Sequence, residues 1–159
     1  MDLIEKREST ERYRRIHRTF YELRTGEGFE HLAGDMATKD PKTGRDNAKD
    51  RQDIIDYLNH YELVAIGIQR KLLDASTYRA WMQGAYVRDW NAAADWVQRE
   101  RWEYFDGQWQ YRSSIFAAYQ AVACSWSEQA RVLNKDSGGP PTGPPSPGDE
   151  PLPTPSGKI

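Results

Sequence analysis

The sequence predicts an all-α fold, a bundle of about four helices followed by a Pro- and Gly-rich tail. Three observations carry that expectation. Apolar residues recur at intervals of three and four through most of the first 134 positions. No period-2 run of β-branched residues competes with them. Eight of the nine prolines lie from Pro140 onward, so the breakers stay out of the foldable part.

The first helix is expected from Leu3 to Leu23, with Tyr13, Ile16, Phe20 and Leu23 on one stripe. Residues 25–50 read as a long polar connection punctuated by Gly26, Gly28, Gly34, Pro41 and Gly44. Phe29, Leu32 and Met36 are its candidates for pinning a short turn to the core. The second helix, Asp46 to Leu73, repeats Ile54, Leu58, Tyr61, Ala65, Ile68 and Leu72, and Ile55, Leu63, Val64 and Ile66 widen that seam toward burial. Asp74 and Ser76 offer N-caps for the third, Thr77 to Glu103. Its aromatic face runs through Tyr78, Trp81, Met82, Tyr86, Trp90, Trp96 and Val97. Asp106-Gly107 breaks the chain after it. The fourth helix, Gln110 to Asn134, carries Ile115, Tyr119, Val122, Trp126 and Leu133. Short links after the second and third helices favour antiparallel neighbours.

These elements make one domain, 1–136, and a tail, 137–159, too rich in Pro and Gly to pack and expected to be disordered. The chain has 22 basic and 24 acidic side chains, a formal net charge of −2. That balance gives no global reason for a polyanion partner. The single cysteine, Cys124, excludes an internal disulfide and suits a reducing, cytoplasmic setting. No stretch approaches the roughly 18 apolar residues of a membrane span, and Met1 to Arg18 lacks the apolar core of a signal peptide.

Two groups stand out as candidate contact residues. Trp102, Tyr104, Phe105, Trp109 and Tyr111 flank the turn at Asp106-Gly107 and form either a hydrophobic clasp or a protein-contact patch. The remaining tryptophans read more simply as filling between helices. Arg12, Arg14, Arg15 and Arg18, with His17, are the local basic excess that could meet phosphates or anionic headgroups. Yet they are scattered round the helix, and Glu5, Glu8, Glu11 and Glu22 supply partners at spacings of three and four. A salt-laced solvated face is the plainer reading.

Catalytic signals are thin. An Arg followed by a His after four to six residues marks the all-α HEPN ribonucleases, and Arg12–His17 and Arg24–His31 match it. Fifteen arginines and three histidines make such a match expected by chance, and Tyr13 is not the small polar residue usual after that Arg. Asp53, Asp56 and His60 share a helical face, but neither HExxH nor Glu-x-x-His occurs, so a solvent-facing helix start explains the two acids more cheaply. Cys124, within AVACSW, reads as a small core residue. No phosphate loop or nucleophile elbow is present. Overlapping P-x-x-P runs, Pro141 to Pro147, favour polyproline II.

Residues 53–90 carry a wider pattern: Tyr61-Glu62-x-x-Ala65, the pair Arg70-Lys71, the turn Leu72-Leu73-Asp74 and an aromatic helix ending near Trp90. This resembles the core of the bacterial domain-of-unknown-function family 4760. The resemblance implies a helical domain and brings no catalytic residues, since that family has no assigned activity. Many members carry N-terminal membrane helices; this chain opens on a charged helix instead. Glu62, on the most apolar helix, is expected to turn outward or to pair with an Arg from another helix.

The expectation is therefore a non-enzymatic helical interaction domain of a bacterial or phage-related protein, without cofactor or metal, whose partner is another protein or a second copy. The alternatives are a nucleic-acid binder or HEPN-like protein using the basic first helix, and peripheral association with an anionic membrane or a membrane partner.

Overall fold

The computed structural model describes residues 3–26, 28–33 and 39–141. Four helices, α1 (Leu3–Thr25), α2 (Asn47–Gln69), α3 (Ala75–Glu100) and α4 (Ala117–Trp126), make the body. Between α3 and α4 lies an antiparallel hairpin, β1 (Trp102–Phe105) and β2 (Gln108–Tyr111). Short 3-10 turns occur at Glu30–Ala33 and Lys135–Ser137. The fold is mostly helical rather than all-α.

The hairpin corrects the expected third and fourth helices. Asp106 and Gly107 both take left-handed backbone, φ 50° and 78°. A two-residue turn between twisted strands requires this, and Asp-Gly supplies it at least cost. Aromatics alternate on either side of the turn, so the chain pairs as strands instead of extending α3 or opening α4 early. Helix α4 is accordingly ten residues long. After a turn at residues 127–130, the chain lies along α3, whose side chains satisfy its backbone. Asn91 bonds the carbonyl of Gln129 (3.0 Å) and the amide of Arg131 (2.8 Å), while the Trp90 indole donates to the carbonyl of Arg131 (2.8 Å).

The core forms where α1, α2, α3 and α4 face one another. Phe20 and Leu23 of α1, Ile54, Leu58, Tyr61 and Ala65 of α2, Tyr86, Trp90, Trp96 and Val97 of α3, and Tyr119 and Val122 of α4 are buried. Phe29 and Leu32 pin the connection, as their spacing suggests, while Met36 lies outside the described residues. Four expected core positions are exposed instead: Tyr13, Leu63, Leu72 and Trp81. Leu63 falls off the buried stripe of α2, and Leu72 lies beyond the helix end. Trp81 precedes the point, near Tyr86, where α3 becomes buried.

The ends of the helices explain the resembling motif. Lys71 takes left-handed backbone (φ 59°), with its amide on the carbonyl of Ile68 (3.0 Å) and that of Leu72 on Gly67 (2.8 Å). This is a Schellman stop with lysine where glycine is usual. Leu73 then folds over Gly67, where an added Cβ would lie 2.7 Å from Leu73 Cδ1. Of the two proposed caps for α3, Asp74 accepts the amide of Thr77 (3.0 Å). Glu62 does not turn outward, and it meets no arginine among the described residues. Its carboxylate accepts the amides of Ala118 (3.2 Å) and Tyr119 (2.6 Å). Phe116, the residue before α4, is left-handed and caps nothing with its own side chain, so an acid from α2 supplies the negative charge that a helix start favours.

Contacts with α3 and the hairpin continue to Gly138. The carbonyl of Gly138 accepts from the Trp102 indole (2.9 Å) and from Gln98 (3.3 Å). Residues 142–159, most of the expected tail, lie outside the described residues.

Lysine in left-handed backbone costs about 1–2 kcal/mol, partly offset by the greater freedom glycine loses on folding. Lys71→Gly is therefore expected to raise stability by about 0.5–1 kcal/mol in urea unfolding. A loss of stability would mean that the lysine side chain contributes more than its backbone costs.

Candidate functional site

The basic face of α1 is divided. Arg12 pairs with Asp56 (2.6 Å), and Arg15 reaches Asp53 through Nη2 (3.2 Å) and Nε (3.3 Å). The Thr19 hydroxyl adds a third donor to Asp53 (2.8 Å). Asp53, placed at a solvent-facing helix start by its sequence context, is 2% exposed. Asp56 is half-buried on the same side. Both acids serve to dock α1. Arg14 and Arg18 stay exposed, with no ion pair among the described residues.

His17 does not meet Arg12. Its ring is half-buried between Tyr13 (4.1 Å between centroids) and Tyr57 (4.9 Å). Burial lowers its pKa from the ordinary 6.5, and the nearby His60 lowers it further, against a smaller opposing pull from Asp89. Asp53, Asp56 and His60 do not converge, and among the described residues no three or more His, Cys, Asp or Glu could hold a metal ion. Cys124 is half-buried with its thiol pKa raised by burial, which suits packing rather than nucleophilic attack.

Charge is most concentrated inside the fold, at Asp89. This carboxylate is 1% exposed. It accepts hydrogen bonds from the phenols of Tyr57 (2.7 Å) and Tyr61 (3.3 Å) on α2 and from the guanidinium of Arg88 (2.9 Å), and it forms an ion pair with Arg24 of α1 (3.4 Å). Desolvation raises the pKa of both tyrosines, which remain protonated donors. The phenols of Tyr86 and Tyr119 likewise donate to the carbonyls of Tyr61 (3.1 Å) and Tyr86 (2.8 Å). Every phenol in this spine thus has a structural partner. Another buried charge, Arg101 (2% exposed), bonds the carbonyl of Ile115 (3.0 Å) and Gln120 (2.8 Å) and meets no carboxylate among the described residues. Neither residue stands out by type. The signal is position: Asp89 and Arg101 each fall three or four residues from buried members of the aromatic stripe.

What remains for chemistry lies on the surface. In the hairpin, Trp102 faces Tyr111 and Tyr104 faces Trp109, so four aromatics share one side. The base is tied down by the Trp102–Gly138 bond and by the Tyr111 hydroxyl on Gln98 (3.0 Å). Toward the tip, Tyr104 and Trp109 are half-buried and meet edge-on at 5.3 Å, and Phe105 on the other face is 61% exposed. Along the first half of α3 run two adjacent grooves, of about 540 and 590 Å³, that share Arg79, Ala80 and Gln83. Trp81, 77% exposed, borders the larger.

Residues 1–126 match the family described as Domain of unknown function (DUF4760). The chain belongs to this family. No curated protein and no solved structure matches it. The DUF4760 match runs from α1 to Trp126, the last residue of α4, whose carbonyl receives Gln83 and Arg79 of α3. No helix among the described residues of this DUF4760 chain is long and apolar enough to cross a membrane.

Two outcomes follow from these buried groups. Asp89→Ala leaves two guanidiniums and two phenols without their acceptor, and breaking such a buried pair costs about 3–5 kcal/mol. Chemical denaturation should show a loss of that order, and a loss below about 1 kcal/mol would remove Asp89 from its central place. For His17 the sign runs toward acid lability. Its folded pKa lies below the unfolded 6.5, so over that interval the unfolded chain binds more protons. Stability should fall as pH drops below 6.5, and His17→Phe should flatten that part of the profile.

Proposed function

We propose that this DUF4760 chain is a non-catalytic protein-interaction domain that engages its partner through the aromatic hairpin. One observation carries the reading. The hairpin presents Tyr104, Trp109 and Phe105 toward its tip with partial or full exposure, while its base is bonded to α3 and Gly138. A two-stranded hairpin without a third strand is marginal in water, and tryptophan and tyrosine dominate the energetics of protein contacts. Both outer strand edges are free of any further strand among the described residues, which adds main-chain donors and acceptors for an incoming segment.

Catalysis has less to work with. The titratable groups at the centre are committed to structural partners, and His17 packs between Tyr13 and Tyr57 while Arg12 pairs with Asp56. Polyanion binding retains Arg14 and Arg18, because Arg12 and Arg15 already neutralise Asp56 and Asp53.

The test is affinity capture from the native host with the full chain, a Phe105→Asp/Trp109→Ala variant, and an Arg14→Glu/Arg18→Glu variant, each checked for its helical spectrum. A near-stoichiometric protein partner should be retained by the arginine variant and weakened about tenfold or more by the hairpin variant. Capture of nucleic acid, or of acidic-lipid vesicles, that vanishes with the arginine variant and at high salt would overturn the reading.

A further inference from the structure

The grooves along α3 are separate from the hairpin, and their chemistry is one-sided. Arg79 and Arg88 are the ionisable residues among those lining them. Arg79 bonds Gln83 (3.4 Å) and the Trp126 carbonyl (3.4 Å), with no carboxylate partner among the described residues. Arg88 shares the buried Asp89 and keeps half its side chain exposed. Beside them the indole of Trp81 stands in solvent, and at Gly84 an added Cβ would meet nothing within 4 Å. The surface is thus a basic, open trough with one large flat aromatic at its rim.

The chain itself contains a segment of complementary chemistry. Residues 142–159 hold six prolines and the acidic pair Asp149-Glu150, followed directly by Pro151-Leu152-Pro153. Proline-rich chain prefers polyproline II, which docks on aromatic-lined grooves with little further loss of freedom. Geometry permits the contact. Gly138 is fixed beside Gln98, near the end of α3. From Gln98 back to Arg88 is about 15 Å of helix and to Arg79 about 28 Å, at 1.5 Å per residue. From Gly138 to Asp149 the chain spans about 34 Å as polyproline II, which covers both.

We propose that the tail folds back along α3 and docks in cis on this trough, with Asp149 and Glu150 between Arg79 and Arg88 and Pro151-Leu152-Pro153 against Trp81. The tail then covers the exposed indole and occupies the groove against other ligands.

The test uses the full chain. A nitroxide is attached at Ser146→Cys in a Cys124→Ala background, and the indole N–H resonances of Trp81 and Trp109 are followed by NMR in dilute solution. Docking broadens Trp81 selectively. Asp149→Lys/Glu150→Lys, a change confined to the tail, should abolish that broadening, and raised salt should reduce it. An unbroadened Trp81, or broadening that survives the charge reversal, overturns the proposal. So does broadening of Trp81 in unlabelled chains mixed with nitroxide-labelled ones, which would assign the groove to the tail of a second copy.

Discussion

The carboxylate of Asp89 holds three helices to one point. It is buried, so its charge is tolerable only with partners from every side, and they come from α1 as an ion pair and from α2 and its own helix as hydrogen-bond donors. Two tyrosines one turn apart on α2 must face α3 for this to work, and Arg24 must arrive at the end of α1. The rotation of α2 is thereby fixed, and with it the placement of Glu62, which sits beside Tyr61 and reaches α4. The start of α4 depends on that reach, because Phe116 offers no cap of its own. A single buried acid therefore sets, through its neighbours, where the fourth helix begins.

The same constraint explains the arginine-rich first helix. Helix α1 is polar for most of its length, and a stripe of Ile16, Phe20 and Leu23 gives it limited apolar purchase. Ion pairs to Asp53, Asp56 and Asp89 add position to that adhesion, since partly buried charges are costly when misplaced. The arginines look like a polyanion site when α1 is read alone. Their partners lie 38 and 44 residues away on another helix, so local spacing points to the wrong acids.

That difference describes how much of this fold is legible from sequence. Helices α1, α2 and α3, and the burial of Phe20, Leu58, Tyr61, Tyr86 and Trp90, follow from period 3.6, because one buried stripe per helix suffices to specify them. The hairpin was written in Asp106-Gly107 and its alternating aromatics, a signal that a helical reading of both flanks obscures. The candidate contact residues at that turn were visible because aromatics next to a turn lack an obvious helix to pack against. The central carboxylate was hidden for the opposite reason. An acid on a buried stripe resembles a surface residue until three distant donors are brought to it.

The division of labour that results bears on function. Buried charge in this chain is used for positioning: the phenols stay protonated, Asp89 is saturated with donors, and Arg101 is solvated by carbonyls near the end of α3. Groups so committed are poor acids, bases or nucleophiles, because any reaction would break the contacts that hold the helices. What the frame leaves outward lies at both ends of α3. The trough with Trp81 lies along its first half and the hairpin projects just past its last turn. Residues 127–138 run between them, bonded to α3 at Trp90, Asn91 and Gln98. A load on the hairpin reaches Gly138 through Trp102, so the two surfaces are joined by one ordered strip of backbone as well as by the helix itself.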